Sequence, residues 1–275
     1  MAGKNLDPSS SPRALLGAEL RVARERAGMS QAELGEPLFV SGSFIGQLET
    51  GTRRMHLEFA RQIDEILDTN GFFARNCAAA AKSKYPDHFA EAAEAEALAK
   101  TIRDYAPQLI PGLLQTEAYA RAVCRAYQPT APEQVIDELV ESRLARASLL
   151  VDPTTPLLWC VFDEAVIRRE VGSREVMAEA LRHILALVRS HRIIVQVIPF
   201  SAGAHAGMMG LLKLMSFDDA PPLSYAEGNG TGQLFDDPAT VARHVLNYDL
   251  LTASALSPRE SLTVIESAAK DYEHA

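Results

Sequence analysis

Residues 30–51, SQAELGEPLFVSGSFIGQLETG, carry side chains suited to hydrogen bonding with flat heterocycles and with a polyanion. The Gln47 amide can form a two-point pair with adenine, and the Ser43 hydroxyl can bond either kind of base. Gln31, Ser41, Arg53 and Arg54 are donors and cations of the type that position a phosphate backbone. Gly42 and Gly46 have no side chain, so they admit close backbone approach but read little. Phe44 and Arg53 are left to supply the remaining contacts, together with the shape of the ligand.

These residues need elements that hold them in register. Leu16, Leu20 and Ala23 mark one face of a first helix that stops at Gly28. Ser30 followed by Glu33 three residues on is a capping box, and it opens a second helix to about Leu38. Ser41 caps a third helix, which carries Phe44, Ile45 and Leu48 and ends at Gly51; Leu34 and Leu38 of the second helix and Ile45 and Leu48 of the third are the buried positions. A fourth, with Phe59, Ile63, Ile66 and Leu67, ends near Gly71, and allowing for one more after Arg53 makes five. Gly35 is small where the second and third helices must approach. Two short helices crossed by a tight turn form a helix-turn-helix, which lays its second helix in the major groove of DNA. Phe39 stands at the turn, where a left-handed backbone is expected, and Pro37 removes one bond from the second helix. A helix-turn-helix can also serve protein contacts alone; here the spacing of polar and apolar positions favours the DNA reading.

Composition bounds the rest. The 275 residues are 47% hydrophobic and 23% charged, as in a globular protein. No run of 18 apolar residues is present, so no membrane span is expected, and the polar start lacks a secretory core. Cys77, Cys124 and Cys160 are scattered, which fits a reducing cytoplasm. The net charge of −9 at first opposes nucleic acid. It is unevenly spread: residues 1–75 hold nine basic and ten acidic side chains, net −1, and residues 76–275 hold the remaining −8. The acidity therefore points to a protein partner with a basic surface.

The domain reading is a disordered lead over 1–13, an all-α helix-turn-helix domain of five short helices over 14–73, a helical linker over 74–97 interrupted at Pro86, and a mixed α/β domain over 98–275. That second domain is expected to hold a small sheet of about four strands, at 157–162, 193–200, 211–217 and 223–227. Segment 98–106 reads equally as helix or strand, and GNGTG at 228–232 reads as a surface loop. Asp163 and Glu164 follow a buried-type strand at its C-terminal end, where sites gather in α/β folds. Arg143, Glu164, His205 and Glu227 are candidates for a polar pocket that binds a small effector. The plainer reading is structural: Glu164 caps the next helix or pairs with Arg143, and His205 is a loop residue. No nucleophile elbow, phosphate loop or metal spacing is present, so no enzyme, catalytic residue, metal or cofactor is expected.

Residues 15–71 resemble the XRE family of regulators, which includes phage repressors. In the second domain, LIPGLLQTEAYARAV, SRLARASLL, FDEAVIRREVG, VQVIPFSAGAH and LSYAEG occur in that order. The series resembles the C-terminal domain of a large actinobacterial group of XRE regulators described as toxin–antitoxin-like. Where that group carries a Trp before the first motif, this chain has His88. The resemblance implies a cytoplasmic transcription regulator that binds double-stranded DNA and has a small partner protein encoded nearby. A recognition helix with two glycines reads too few bases to select a site alone, so a homodimer with half-sites one turn apart is expected. The alternative is an antitoxin-like interaction module whose DNA binding is secondary autoregulation.

Overall fold

The computed structural model describes residues 12–80, 87–228 and 231–274; the expected lead over 1–13 falls almost wholly outside them, as does Pro86. The chain forms two compact units. The first comprises residues up to Leu98 together with Ser216–Leu223 and Leu234–Val241; the second comprises Ala99–Met215, Ser224–Gln233 and Ala242–Ala275. Among the described residues no helix is long and apolar enough to cross a membrane.

The first unit begins with α1 (Pro12–Arg26), α2 (Gln31–Gly35), α3 (Gly42–Glu49), α4 (Leu57–Leu67), α5 (Phe72–Ala80) and α6 (Asp87–Leu98). The capping box forms as expected: Glu33 N donates to Ser30 Oγ at 3.2 Å, and Ser30 N donates to Glu33 Oε2 at 2.7 Å. Such a cap stabilises a helix by about 1 kcal/mol. Pro37 does not blunt α2 from within. The α-helix ends at Gly35, and residues 36–38 form one 3₁₀ turn that needs no amide from the proline. No helix follows Arg53 directly; residues 50–56 are a turn, and the fifth helix is α5. Leu16, Leu20, Leu34, Leu38, Phe44, Ile45, Leu48 and Ile63 make one core, closed by Met55, Ala60, Phe73 and Cys77. At Gly17 and Gly35 the backbones come so close that a Cβ would meet Glu49 O at 2.6 Å and Val40 O at 2.5 Å.

The second unit is mixed α/β, with one sheet of six strands in the order β3-β2-β1-β4-β5-β6. The strands are β1 (Thr101–Ala106), β2 (Leu157–Asp163), β3 (Ile193–Ile198), β4 (Leu211–Ser216), β5 (Leu223–Gly228) and β6 (Thr231–Phe235). Strands β1, β2 and β3 run parallel, in a register that pairs Thr101 with Leu157 and Leu158 with Ile193. Parallel neighbours need helical crossovers. These are α7 (Glu117–Tyr127) and α8 (Glu133–Ala147), then α9 (Glu164–Arg168) and α10 (Arg174–Arg189). Helices α11 (Pro238–Ser254) and α12 (Pro258–His274) end the fold. Tyr248 and Leu251 of α11 pack on Tyr105, Val161, Ile198 and Leu214 of the sheet. β3 is an edge strand, and it is covered: Leu256 N donates to Val197 O, and Val197 N donates to Ser261 Oγ, each at 2.9 Å.

Two expectations change. The sheet has six strands rather than about four. The open segment 98–106 contains β1, whose alternation was hidden by a buried ion pair, Asp104 with Lys213 of the neighbouring β4 at 2.8 Å. Of the expected loop at 228–232, Gly228 ends β5 and Thr231–Gly232 open β6, while residues 229–230 lie outside the described residues.

Candidate nucleic-acid interface

The turn between α2 and α3 has the geometry its sequence required. Phe39 adopts φ 55°, the left-handed conformation, and the residue is 97% exposed. Ser41 caps α3, its Oγ accepting from Phe44 N at 3.1 Å. Gly51, at φ 66°, ends the helix run.

A buried polar network that the sequence reading missed fixes α3 against α1 and α2. Glu49 is fully buried. Its carboxylate accepts from Arg24 Nε at 2.5 Å and Nη2 at 3.2 Å, and from Gln31 Nε2 at 2.9 Å. The Glu49 bond raises the Arg24 pKa against the opposing effect of burial. The signal was present in the spacing: Arg24 lies four residues after Leu20 and Glu49 four after Ile45, both on inward faces. A charge on each apolar stripe is best met by its opposite.

The expected DNA-contact residues fall into three groups. Gly42 and Gly46 do not face outward. A Cβ on Gly42 would meet the Ala32 backbone at 3.0 Å, and one on Gly46 would meet the Gln31 amide at 3.2 Å, so both glycines serve the approach of α2. Phe44 is a core residue, 5.1 Å from the Phe59 ring, and the Arg53 guanidinium lies 4.4 Å over it. Ser43 and Gln47 are not the exposed side chains that were expected. Gln47 is fully buried, neither of its amide atoms has a partner, and Ser43 Oγ is equally enclosed. Gln31 is engaged with Glu49, and Ser41 with the α3 cap.

The basic side chains beside this face are also engaged. Arg53 Nη1 lies 3.0 Å from Asp236 Oδ2, and His56 Nε2 lies 2.7 Å from Glu91 Oε1. Arg13 pairs with Glu94, and Arg54 has its Nε buried without a partner. Burial pushes the Glu94 carboxyl up, against the pull of Arg13 and Arg54. Burial acts the same way on Glu91, but the His56 bond and the charges of Arg53 and Arg13 outweigh it and leave that carboxyl below its ordinary range.

In the second unit the four expected pocket residues do not converge. Arg143 Nη1 donates to Gln115 Oε1 at 3.2 Å, and Glu227 Oε2 accepts from Tyr225 Oη at 2.9 Å. Glu164 accepts from Phe200 N at 2.9 Å and pairs with Arg168 at 3.3 Å. His205 Nε2 is 3.3 Å from Asp163 Oδ2, and its Nδ1 accepts from Gly207 N. Only Glu164 and His205 thus share a neighbourhood, the C-terminal end of β2, where Asp163 caps α9. Tyr105 lies beside them; its ring sits 6.0 Å from His205, and burial with the nearby Asp163 charge pushes its hydroxyl up.

Two families match the chain. One is described as a helix-turn-helix domain and matches residues 15–71; the other is described as a domain of unknown function, DUF5753, and matches residues 89–267. No curated protein and no solved structure matches. The N-terminal helices are thus a helix-turn-helix domain, which supports DNA binding and points to a regulator. With more than half of its length matched by the second family, the chain belongs to the DUF5753 family.

Proposed function

We propose that this DUF5753-family chain is a sequence-specific, XRE-like transcription regulator that binds DNA as a homodimer. The observation that carries the reading is the complete helix-turn-helix: a capped α2, a left-handed turn at Phe39, and a capped α3 followed by Arg53 and Arg54. Gln47 and Ser43 read bases, and Arg53 and Arg54 hold phosphates. Because Gly42 and Gly46 are spent on helix packing, one half-site carries little direct information, which favours a two-fold dimer. The second unit supplies dimerisation, binding of a small partner protein with a basic surface, or effector sensing; the net charge of −8 over residues 76–275 supports the basic partner.

Genome-wide mapping of the DNA bound by the full chain tests this. A short motif with two-fold symmetry is the expected result; fragments no more enriched than input would overturn the reading. On the recovered site, Gln47→Ala weakens binding relative to random duplex by about 1–3 kcal/mol, whereas Arg53→Ala weakens both. Light scattering of the purified chain reports a dimer; a monomer at working concentration removes the dimeric part of the reading.

A further inference from the structure

We propose that the chain holds its own DNA-binding face closed, with carboxylates of α6 and of the segment after β6 standing in for the DNA backbone. The inference rests on the DNA-binding reading above. Two arginines and a histidine of the helical domain each meet an acid that the motif does not supply: Arg13 meets Glu94, Arg53 meets Asp236, and His56 shares a hydrogen bond with Glu91. Glu91 and Glu94 are three residues apart and so share one face of α6. Arg54 acts on the same Glu94 through its charge. Of these groups Arg53 and Arg54 are the ones placed to hold phosphates, so DNA competes with Asp236 and the Glu91 charge for Arg53 and with the Glu94 charge for Arg54.

The reading residues give a second, independent argument. Gln47 is fully enclosed with both amide atoms unpaired, and Ser43 Oγ and Arg54 Nε are enclosed and unpaired with it. A buried polar group without a partner destabilises a fold, and an apolar side chain of the same shape would not. Polar groups enclosed at this cost make sense if they are satisfied in another state, where α3 is open and base edges or phosphates meet them. The closed arrangement described here is then one side of an equilibrium, and apparent DNA affinity is lowered by the fraction of chains that are open.

The test uses the full chain and a fluorescein-labelled random-sequence duplex, followed by anisotropy over a range of KCl. The variant Glu91→Gln/Glu94→Gln/Asp236→Asn is expected to bind about tenfold or more tightly than wild type. Its salt dependence should also steepen, by up to about 0.9 in log–log slope for each cation that gains a phosphate. Circular dichroism establishes that it is folded. Asp236→Asn alone, near the surface, gives a smaller gain of the same sign and carries the test if the triple variant does not fold. A control of equal charge, Glu133→Gln/Glu138→Gln/Glu141→Gln on α8, leaves affinity near wild type. If the control gains as much as the triple variant, net charge explains the effect and the closed state is overturned. If wild type and folded variants bind equally, the closed state is overturned while DNA binding stands. If no chain binds DNA, both readings fall together.

Discussion

At the scale of single residues, two buried polar side chains in the same helix behave oppositely. Glu49 is enclosed and fully met by Arg24 and Gln31. Gln47, two residues earlier, is enclosed and unmet. Removing Arg24 leaves the buried Glu49 charge with only Arg21, 3.6 Å away, as an ionic partner, which costs up to about 3–5 kcal/mol. Arg24→Met is therefore expected to lower stability by that amount in urea denaturation; a change under about 0.5 kcal/mol would show that the pair is dispensable. Gln47→Met should do the reverse. It removes an unsatisfied amide and keeps the volume, so stability rises by about 1–3 kcal/mol while DNA affinity falls. A variant that is destabilised would show that the amide finds partners in the folded chain.

At the scale of elements, the helix-turn-helix was readable because its signals are local. The capping box, the Ser41 cap and the leucines at helical spacing each act within one or two turns, and each appears in the fold. The turn is a local matter too. The exposed Phe39 holds φ 55°, a conformation that favours glycine, so Phe39→Gly is expected to raise the melting temperature by relieving about 1 kcal/mol. No change would show that the turn tolerates the side chain freely. What was not readable depends on partners far away in sequence. β1 carries Asp104 at a buried position, and its charge has meaning only once Lys213 lies beside it. The burial of Phe44 and Gln47 likewise could not be seen in α3, since an outward face of a lone helix is defined by what packs on it. Gly42 and Gly46 looked like positions for a ligand because α2 was not yet known to be so close. The same closeness lets Gly17 admit the α3 backbone, and Gly17→Ala should destabilise by about 1–3 kcal/mol, as overpacking does. Effects within about 0.3 kcal/mol would mean that the helices can part.

At the scale of the whole molecule, charge and titration link fold to function. Burial lowers the pKa values of His183 and His244, opposed by Glu179 in the first case and aided by Arg243 in the second. Both are then held neutral in the folded chain below the pH at which the unfolded chain takes up protons. Stability from this source is complete above about pH 6.5 and is lost as the pH falls below it. Replacing both with Gln should flatten the fall in melting temperature between about pH 7 and pH 5; an unchanged slope would assign the acid sensitivity to the carboxylates. The near-neutral charge of residues 1–75, further offset by Glu91, Glu94 and Asp236, predicts weak binding to random DNA and makes the choice of site depend on α3 and on pairing of two copies. The most direct test is a salt titration of the full chain on its mapped site, wild type against Arg53→Ala/Arg54→Ala. Loss of two phosphate contacts should make the log K versus log [salt] slope shallower by about 1.8 and weaken site and random duplex alike. Equal slopes and equal affinities for the two proteins would contradict DNA binding through this helix-turn-helix.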